Sequence, residues 1–180
     1  MYKSGAGDMQ IDEAGELRLV TGAGDITINR VAGRLDVTAG AGSVRVGSID
    51  GPAEIKNSSG DMWVGEITGD LRAVMANGTI VIDKAESTVV AKTANGDIRV
   101  GEVARRAIIA QTSFGNLEVG IREGVAAWLD LDTRYGTVHN HLQATGHPAP
   151  GIAGVEVRAR TSFGDITIRR AVAAAVMSGR

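Results

Sequence analysis

Glycine returns along this chain at a nearly fixed interval, at Gly7, Gly24, Gly42, Gly60, Gly78, Gly96, Gly115, Gly136 and Gly164. From Gly24 to Gly96 every step is 18 residues, the next two are 19 and 21, and the last is 28. After nearly every one of these Gly residues, apolar residues stand two and four positions on: Ile26 and Ile28, Val44 and Val46, Met62 and Val64, Ile80 and Ile82, Ile98 and Val100, Leu117 and Val119, Ile166 and Ile168. A second alternating run precedes it, as in Leu17 and Leu19, Leu35 and Val37, Leu71 and Ala73, Val89 and Ala91, Leu129 and Leu131. Period two on both sides predicts two short strands per repeat. Between them lies a corner with an apolar residue and a Gly two positions later, as in Val31 with Gly33, Ile49 with Gly51 and Ile67 with Gly69.

A unit this short cannot bury its apolar face alone, so successive units must stack and pair strand on strand. The predicted fold is all-β: a single-stranded parallel β-solenoid, or β-helix, with about 18 residues per coil. Residues 1–170 hold about nine coils, and a rise of about 4.8 Å per coil makes a rod of roughly 40 Å. The sterics of parallel crossovers favour a right-handed coil. "AVAAAVMSGR" at 171–180 is read as a C-terminal cap or tail, since stacked strands leave an open edge. The start, "MYKSGAGD", falls inside a repeat, which suggests either a missing N-terminal capping segment or an end completed by another copy.

Composition agrees with a narrow core. Gly numbers 25 of 180 residues and aromatic residues only six (two Phe, two Trp, two Tyr), so Val, Ile, Leu and Ala must fill the interior. The 19 basic and 21 acidic residues are spread without runs, leaving no electrostatic footprint for nucleic acid or an anionic membrane. With no cysteine there is no disulfide, thiolate metal site or cysteine nucleophile. No apolar stretch approaches a membrane span, and the start lacks a signal-peptide pattern. Together with the absent cysteines this points to a cytoplasmic protein, with the cell surface as the alternative.

The motifs "TGAGDITI", "NSSGDMWVGEITGDL", "KTANGDIRVGEV" and "TSFGDITIRR" resemble the bacterial β-strand-repeat, adhesin-like family known as domain of unknown function 4097. "IREGVAAWLDLDTRYGTV" and "VEVRARTSFGDITIRR" resemble the closing section of its actinobacterial members. The resemblance covers essentially the whole chain. It implies a β-solenoid and a further β-rich segment before the region where this chain starts. It brings no established enzymatic chemistry and supplies no site residues.

Several columns are candidates for function. The residue after the Gly reads Asp8, Asp25, Ser43, Asp61, Thr79, Asp97, Asn116, Thr137 and Asp165. Every member can hydrogen-bond a turn, but most of the substitutes for Asp are poor hard-cation ligands, so Gly24-Asp25, Gly60-Asp61, Gly96-Asp97 and Gly164-Asp165 are read as structural turns. Carboxylates about 4.8 Å apart repel by roughly 0.9 kcal/mol even in bulk water, and from Asp25 onward no two Asp residues fall in consecutive repeats. The residue before the Gly is small or Asn in the early repeats and becomes an aromatic column at Phe114, Tyr135 and Phe163. Such rings can stack on each other, or hold a sugar or a partner.

Trp63 is outward on its strand, with Val81 one repeat on and Arg45 and Arg99 on either side, while Val74, Val90 and Ile109 are outward on the other face. Trp and Arg are enriched at binding hot spots, so the first group is a candidate protein-interaction surface. All three histidines fall in "HNHLQATGH". His139 and His141 share a face if that run is a strand, and His147 could complete a metal site, although loop histidines are more often simply exposed. There is no phosphate loop, serine nucleophile elbow or cysteine nucleophile.

The leading expectation is a non-enzymatic scaffold or interaction module without a cofactor, meeting a protein partner or further copies through its ends or the Trp63 group. The alternative is a carbohydrate-binding or carbohydrate-cleaving β-helix using the aromatic column. A third reading is metal-dependent folding through the Gly-Asp turns or the histidines.

Overall fold

In the computed structural model, residues 2–103, 106–122, 126–141 and 154–170 are described. Each repeat forms two strands, and the chain lays them down in pairs: β1 (Tyr2–Ala6) and β2 (Met9–Ala14), β3 (Leu17–Ala23) and β4 (Ile26–Val31), β5 (Leu35–Ala41) and β6 (Val44–Ile49). Next come β7 (Ala53–Ser59) and β8 (Met62–Ile67), β9 (Leu71–Asn77) and β10 (Ile80–Ala85), β11 (Val89–Asn95) and β12 (Ile98–Val103). The last three pairs are β13 (Arg106–Phe114) and β14 (Leu117–Ile121), β15 (Ala126–Tyr135) and β16 (Val138–Asn140), and β17 (Gly154–Phe163) and β18 (Ile166–Arg170). First members build one nine-stranded parallel sheet and second members another, so the expected all-β solenoid forms. No helix among the described residues is long and apolar enough to cross a membrane.

Register follows the repeat residue for residue. Leu17, Leu35, Ala53, Leu71 and Val89 lie in one line, and Ile26, Val44, Met62, Ile80 and Ile98 in another. These inward positions are buried, as are the corner residues Val31, Ile49, Ile67, Ala85, Val103 and Ile121. A one-residue slip would turn every inward side chain to solvent, which is why the pairing is so uniform.

Layer order departs from chain order at one place. The first sheet ends β11-β13-β17-β15 and the second β12-β14-β18-β16, so the last coil in sequence is inserted between the two coils before it. Burial explains the exchange. β17 and β18 bring Val155, Val157, Ala159, Ile166 and Ile168, all fully buried in the inserted layer. The displaced layer ends the stack with half-buried Leu129 and Leu131 and with Val138, which is 40% exposed. In the column Val100, Val119, Ile168 its residue is the exposed Asn140. A polar residue is tolerable at the end of a core column and costly inside one. The 171–180 segment, read above as a cap, lies outside the described residues.

Candidate interaction surfaces

The Gly column sits where the chain passes from the first sheet to the second. Gly60 has φ 128°, and a Cβ there would overlap the carbonyl oxygen of Gly42 in the layer below. The turn is therefore closed to any larger residue by backbone conformation and by the neighbouring backbone at once.

Beside this column the aspartates work between layers rather than within their own turns. Asp8, Asp25, Asp61 and Asp97 each accept a hydrogen bond from the backbone N–H of the equivalent residue one layer up, at Asp25, Ser43, Thr79 and Asn116, over 2.8–3.1 Å. The ladder continues through the inserted layer: Asp165 N–H donates to Asn116 Oδ1 at 2.8 Å, and Thr137 N–H to Asp165 Oδ1 at 2.9 Å. In layer order the column reads Asp25, Ser43, Asp61, Thr79, Asp97, Asn116, Asp165, Thr137, a strict alternation of charged and neutral groups. Chain order breaks that alternation and the insertion restores it.

A second ladder stands three residues before several of these Gly residues. Thr112 Oγ1 donates to Gly96 O (3.0 Å), Thr161 to Gly115 O (3.0 Å), Thr133 to Gly164 O (2.8 Å), and Asn57 Nδ2 to Gly42 O (2.9 Å). Its recurring Thr, in "TGAG", "TANG", "TSFG" and "TRYG", is the signal that a search for apolar alternation passes over. Asn57 is buried, and its Oδ1 has no partner among the described residues. Thr112→Val should lower stability by about 1 kcal/mol, the usual net worth of such a bond. Asn57→Thr, which keeps a donor and removes the orphan acceptor, should raise it by a similar amount. Urea midpoints of the two variants check both signs.

The aromatic column forms a stack with Phe163 in the middle, at centroid distances of 4.9 Å to Phe114 and 4.8 Å to Tyr135 and interplanar angles of 1° and 12°. Chain order would have put Tyr135 there. Both faces of Phe163 are covered by its neighbours, so it offers only its edge to solvent, while Tyr135 is stacked on one face and stays 63% exposed at the end of the column. One layer further down the same position carries a polar pair, with Asn95 Nδ2 donating to Asn77 Oδ1 at 2.9 Å.

Arg45, Trp63, Val81 and Arg99 do lie in register on four successive strands. Trp63 is half-buried rather than protruding. Its Nε1 donates to Asp83 Oδ2 at 3.1 Å, and its ring lies against Gly65, whose added Cβ would come within 3.2 Å of Trp63 Cη2. The indole thus fills a notch left by a glycine. Arg169 lies over Gly120 in the same way. Val74, Val90 and Ile109 are also half-buried, with Val90 and Ile109 paired and Val74 one column away. An open groove of about 310 Å³ runs beside them, lined by Arg34, Glu54, Asp70, Arg72, Thr88 and Val90 among others.

Ion pairs tie layers together on the second sheet. Arg122 Nη2 meets Glu86 Oε1 at 3.0 Å and Glu102 Oε2 at 3.3 Å. Arg169 Nε donates to Glu118 Oε1 at 2.6 Å, and Arg99 Nε to its Oε2 at 3.0 Å. The Arg169 hydrogen bond holds the Glu118 carboxyl below the ordinary glutamate value, burial opposes it, and the charges of Arg169 and Arg99 add to the lowering. A depressed folded-state pKa gives stability that is present above the ordinary glutamate value and lost as pH falls through the folded one. Glu118→Gln should therefore lower stability near neutral pH by roughly 1 kcal/mol and leave it unchanged at the acid end, read as urea midpoints across that range.

His139 and His141 are exposed on one face of the end layer, as their spacing predicts, with parallel rings 6.4 Å apart. His147 lies outside the described residues. Among the described residues no three His, Asp or Glu side chains converge on one point.

The order of coils, two strands per repeat and a Gly turn throughout, is matched by the sequence family described as Toastrack DUF4097 over residues 1–169. The chain belongs to that family. No curated protein and no solved structure matches it. As a Toastrack domain it carries a β-solenoid of unknown function, and within that frame the end layer of β15 and β16 stands apart. Its Trp128 is 48% exposed and its Tyr135 63%, above half-exposed core positions. The sequence reading did not single out Trp128, because only layer order reveals that β15 is an edge.

Proposed function

We propose that this Toastrack domain is a non-enzymatic, adhesin-like scaffold or interaction module that recruits protein through the ends and surface columns of its rod. The observation that carries the reading is the end layer, where a ten-residue strand, β15, has a neighbouring strand on one side only among the described residues and displays Trp128, Tyr135 and half-buried Leu129 and Leu131. Exposed apolar groups gathered beside an unpaired strand edge are what a recognition surface requires. The interior supports the same reading, since the inward columns between the end layers are filled by packed side chains. Stacking covers both faces of Phe163, so of the aromatic column the carbohydrate alternative keeps only the end ring, Tyr135.

A photo-crosslinking residue placed at Trp128, compared with one at Arg18 on an early layer of the same sheet, tests this in the cells that make the protein. A discrete protein adduct from position 128 and none from position 18 is expected. Equal, diffuse labelling at both positions would defeat the end-layer reading.

A further inference from the structure

Resting on the end-layer reading, we infer that the outer edge of β15, unpaired among the described residues, receives an extended protein segment in which apolar and cationic side chains alternate. The recognition chemistry is visible on the opposite edge of the same strand. There β17 places Val157 and Ala159 level with Leu129 and Leu131, and Arg158 and Arg160 level with Asp130 and Asp132. Arg160 reaches Asp130 at 3.9 Å, while Arg158 pairs with Glu156 in its own strand at 2.9 Å. Asp132 has no ion-pair partner among the described residues.

On the outer edge no described strand covers those same side chains. Leu129 and Leu131 are half-buried where Val157 and Ala159 beneath them are fully buried, so each core column stops one layer short of cover. Trp128, Leu129, Asp130 and Glu156 line an open groove of about 290 Å³ at the start of the strand. A segment added in the parallel sense used throughout this sheet sets its inward apolar residues on Leu129 and Leu131 and its outward cations over Asp130 and Asp132. This is strand addition, with main-chain hydrogen bonds giving affinity and alternate side chains giving specificity.

Charge selects among occupants. Two copies joined edge to edge through β15 would bring Asp130 and Asp132 of one against those of the other, and like charges across a strand pair are destabilising. The chain's own 171–180, "AVAAAVMSGR", has Arg180 as its single charged residue and cannot supply two alternating cations. A separate partner with the alternating pattern meets both conditions.

The probe is a fluorescent peptide with the sequence of β17, GVEVRARTSF, titrated into the full chain and followed by anisotropy. Saturable binding is expected, weakened at least tenfold by Asp132→Lys and severalfold by Asp132→Asn, with circular dichroism confirming that both variants fold. A peptide with Glu in place of both arginines should bind the wild type poorly and the Asp132→Lys protein better. Amide exchange should slow across Ala126–Tyr135 and stay unchanged across Gly154–Phe163. Absence of saturable binding, affinity indifferent to Asp132, or faster exchange in β17, meaning that the peptide replaces it, would each overturn the inference. So would sedimentation showing that the chain alone self-associates through this edge. If the peptide fails while position 128 still yields a discrete adduct, only the strand-addition inference falls; if neither gives a signal, the end-layer reading falls with it.

Discussion

Gly60→Ala is expected to destabilise the solenoid by about 2 to 5 kcal/mol, a large share of the stability of a domain of this size. Two separate causes add at this position: φ is 128°, and the new Cβ would overlap the Gly42 carbonyl oxygen one layer down. The column contains the controls that separate them. Gly7 has φ 121° but open space where its Cβ would go, so Gly7→Ala should show the conformational part alone, about 1 to 2 kcal/mol. Gly33 lacks the positive φ, yet a Cβ there would lie 2.6 Å from the Gly15 carbonyl oxygen, so Gly33→Ala isolates the steric part, about 1 to 3 kcal/mol. Gly15→Ala, with nothing nearby and no special φ, should be close to neutral. Urea midpoints for the four variants test the decomposition, and equal losses at Gly7 and Gly60 would show that stacking adds nothing.

That series also shows why so much of the fold was legible. A residue forbidden a side chain by its neighbour one layer away must recur at the layer interval, so the spacing of Gly24, Gly42, Gly60, Gly78 and Gly96 is the solenoid pitch written along the chain. The apolar alternation around each Gly then assigns Ile80 and Ile82 to the interior without ambiguity. What escaped was whatever depends on which layer lies next to which. Asp61 looks like a turn residue from its own sequence, and its bond to the Thr79 N–H in the layer above appears only once layers are superposed. Trp63 reads as an outward aromatic, because the notch at Gly65 that takes its ring belongs to a different column. The edge at β15 is invisible in chain order, where 28 residues between Gly136 and Gly164 register as a long repeat rather than an exchange. The clues were nonetheless present: "TSFG" occurs at 112–115 and 161–164, the aspartate alternation fails between Asn116 and Thr137, and "HNH" puts Asn140 where every earlier coil has Ile or Val.

The exchanged order makes the second large prediction, which no chain-order solenoid shares. Gln111 lies in register with Arg160, and Arg160 with Asp132, all three on exposed outward positions. Neighbouring layers stand about 4.8 Å apart, inside the Cα range of a disulfide, while Gln111 and Asp132 are two layers apart, about 9.6 Å, and beyond it. In a chain without cysteines, Gln111→Cys with Arg160→Cys should therefore oxidise to a single bridged species. Closing a loop of roughly fifty residues removes enough unfolded-state entropy to stabilise by about 4 kcal/mol in the oxidised form relative to the reduced one. Gln111→Cys with Asp132→Cys should stay reduced within the monomer and gain nothing. A gel-shift assay for the intramolecular bridge, with urea midpoints under oxidising and reducing conditions, reads both pairs. Bridging of the second pair in preference to the first would mean that the layers follow the chain. The fully buried Ile168 would then belong to the end of the stack and Asn140 to its interior, an arrangement that places an amide in an aliphatic column and leaves an isoleucine to solvent.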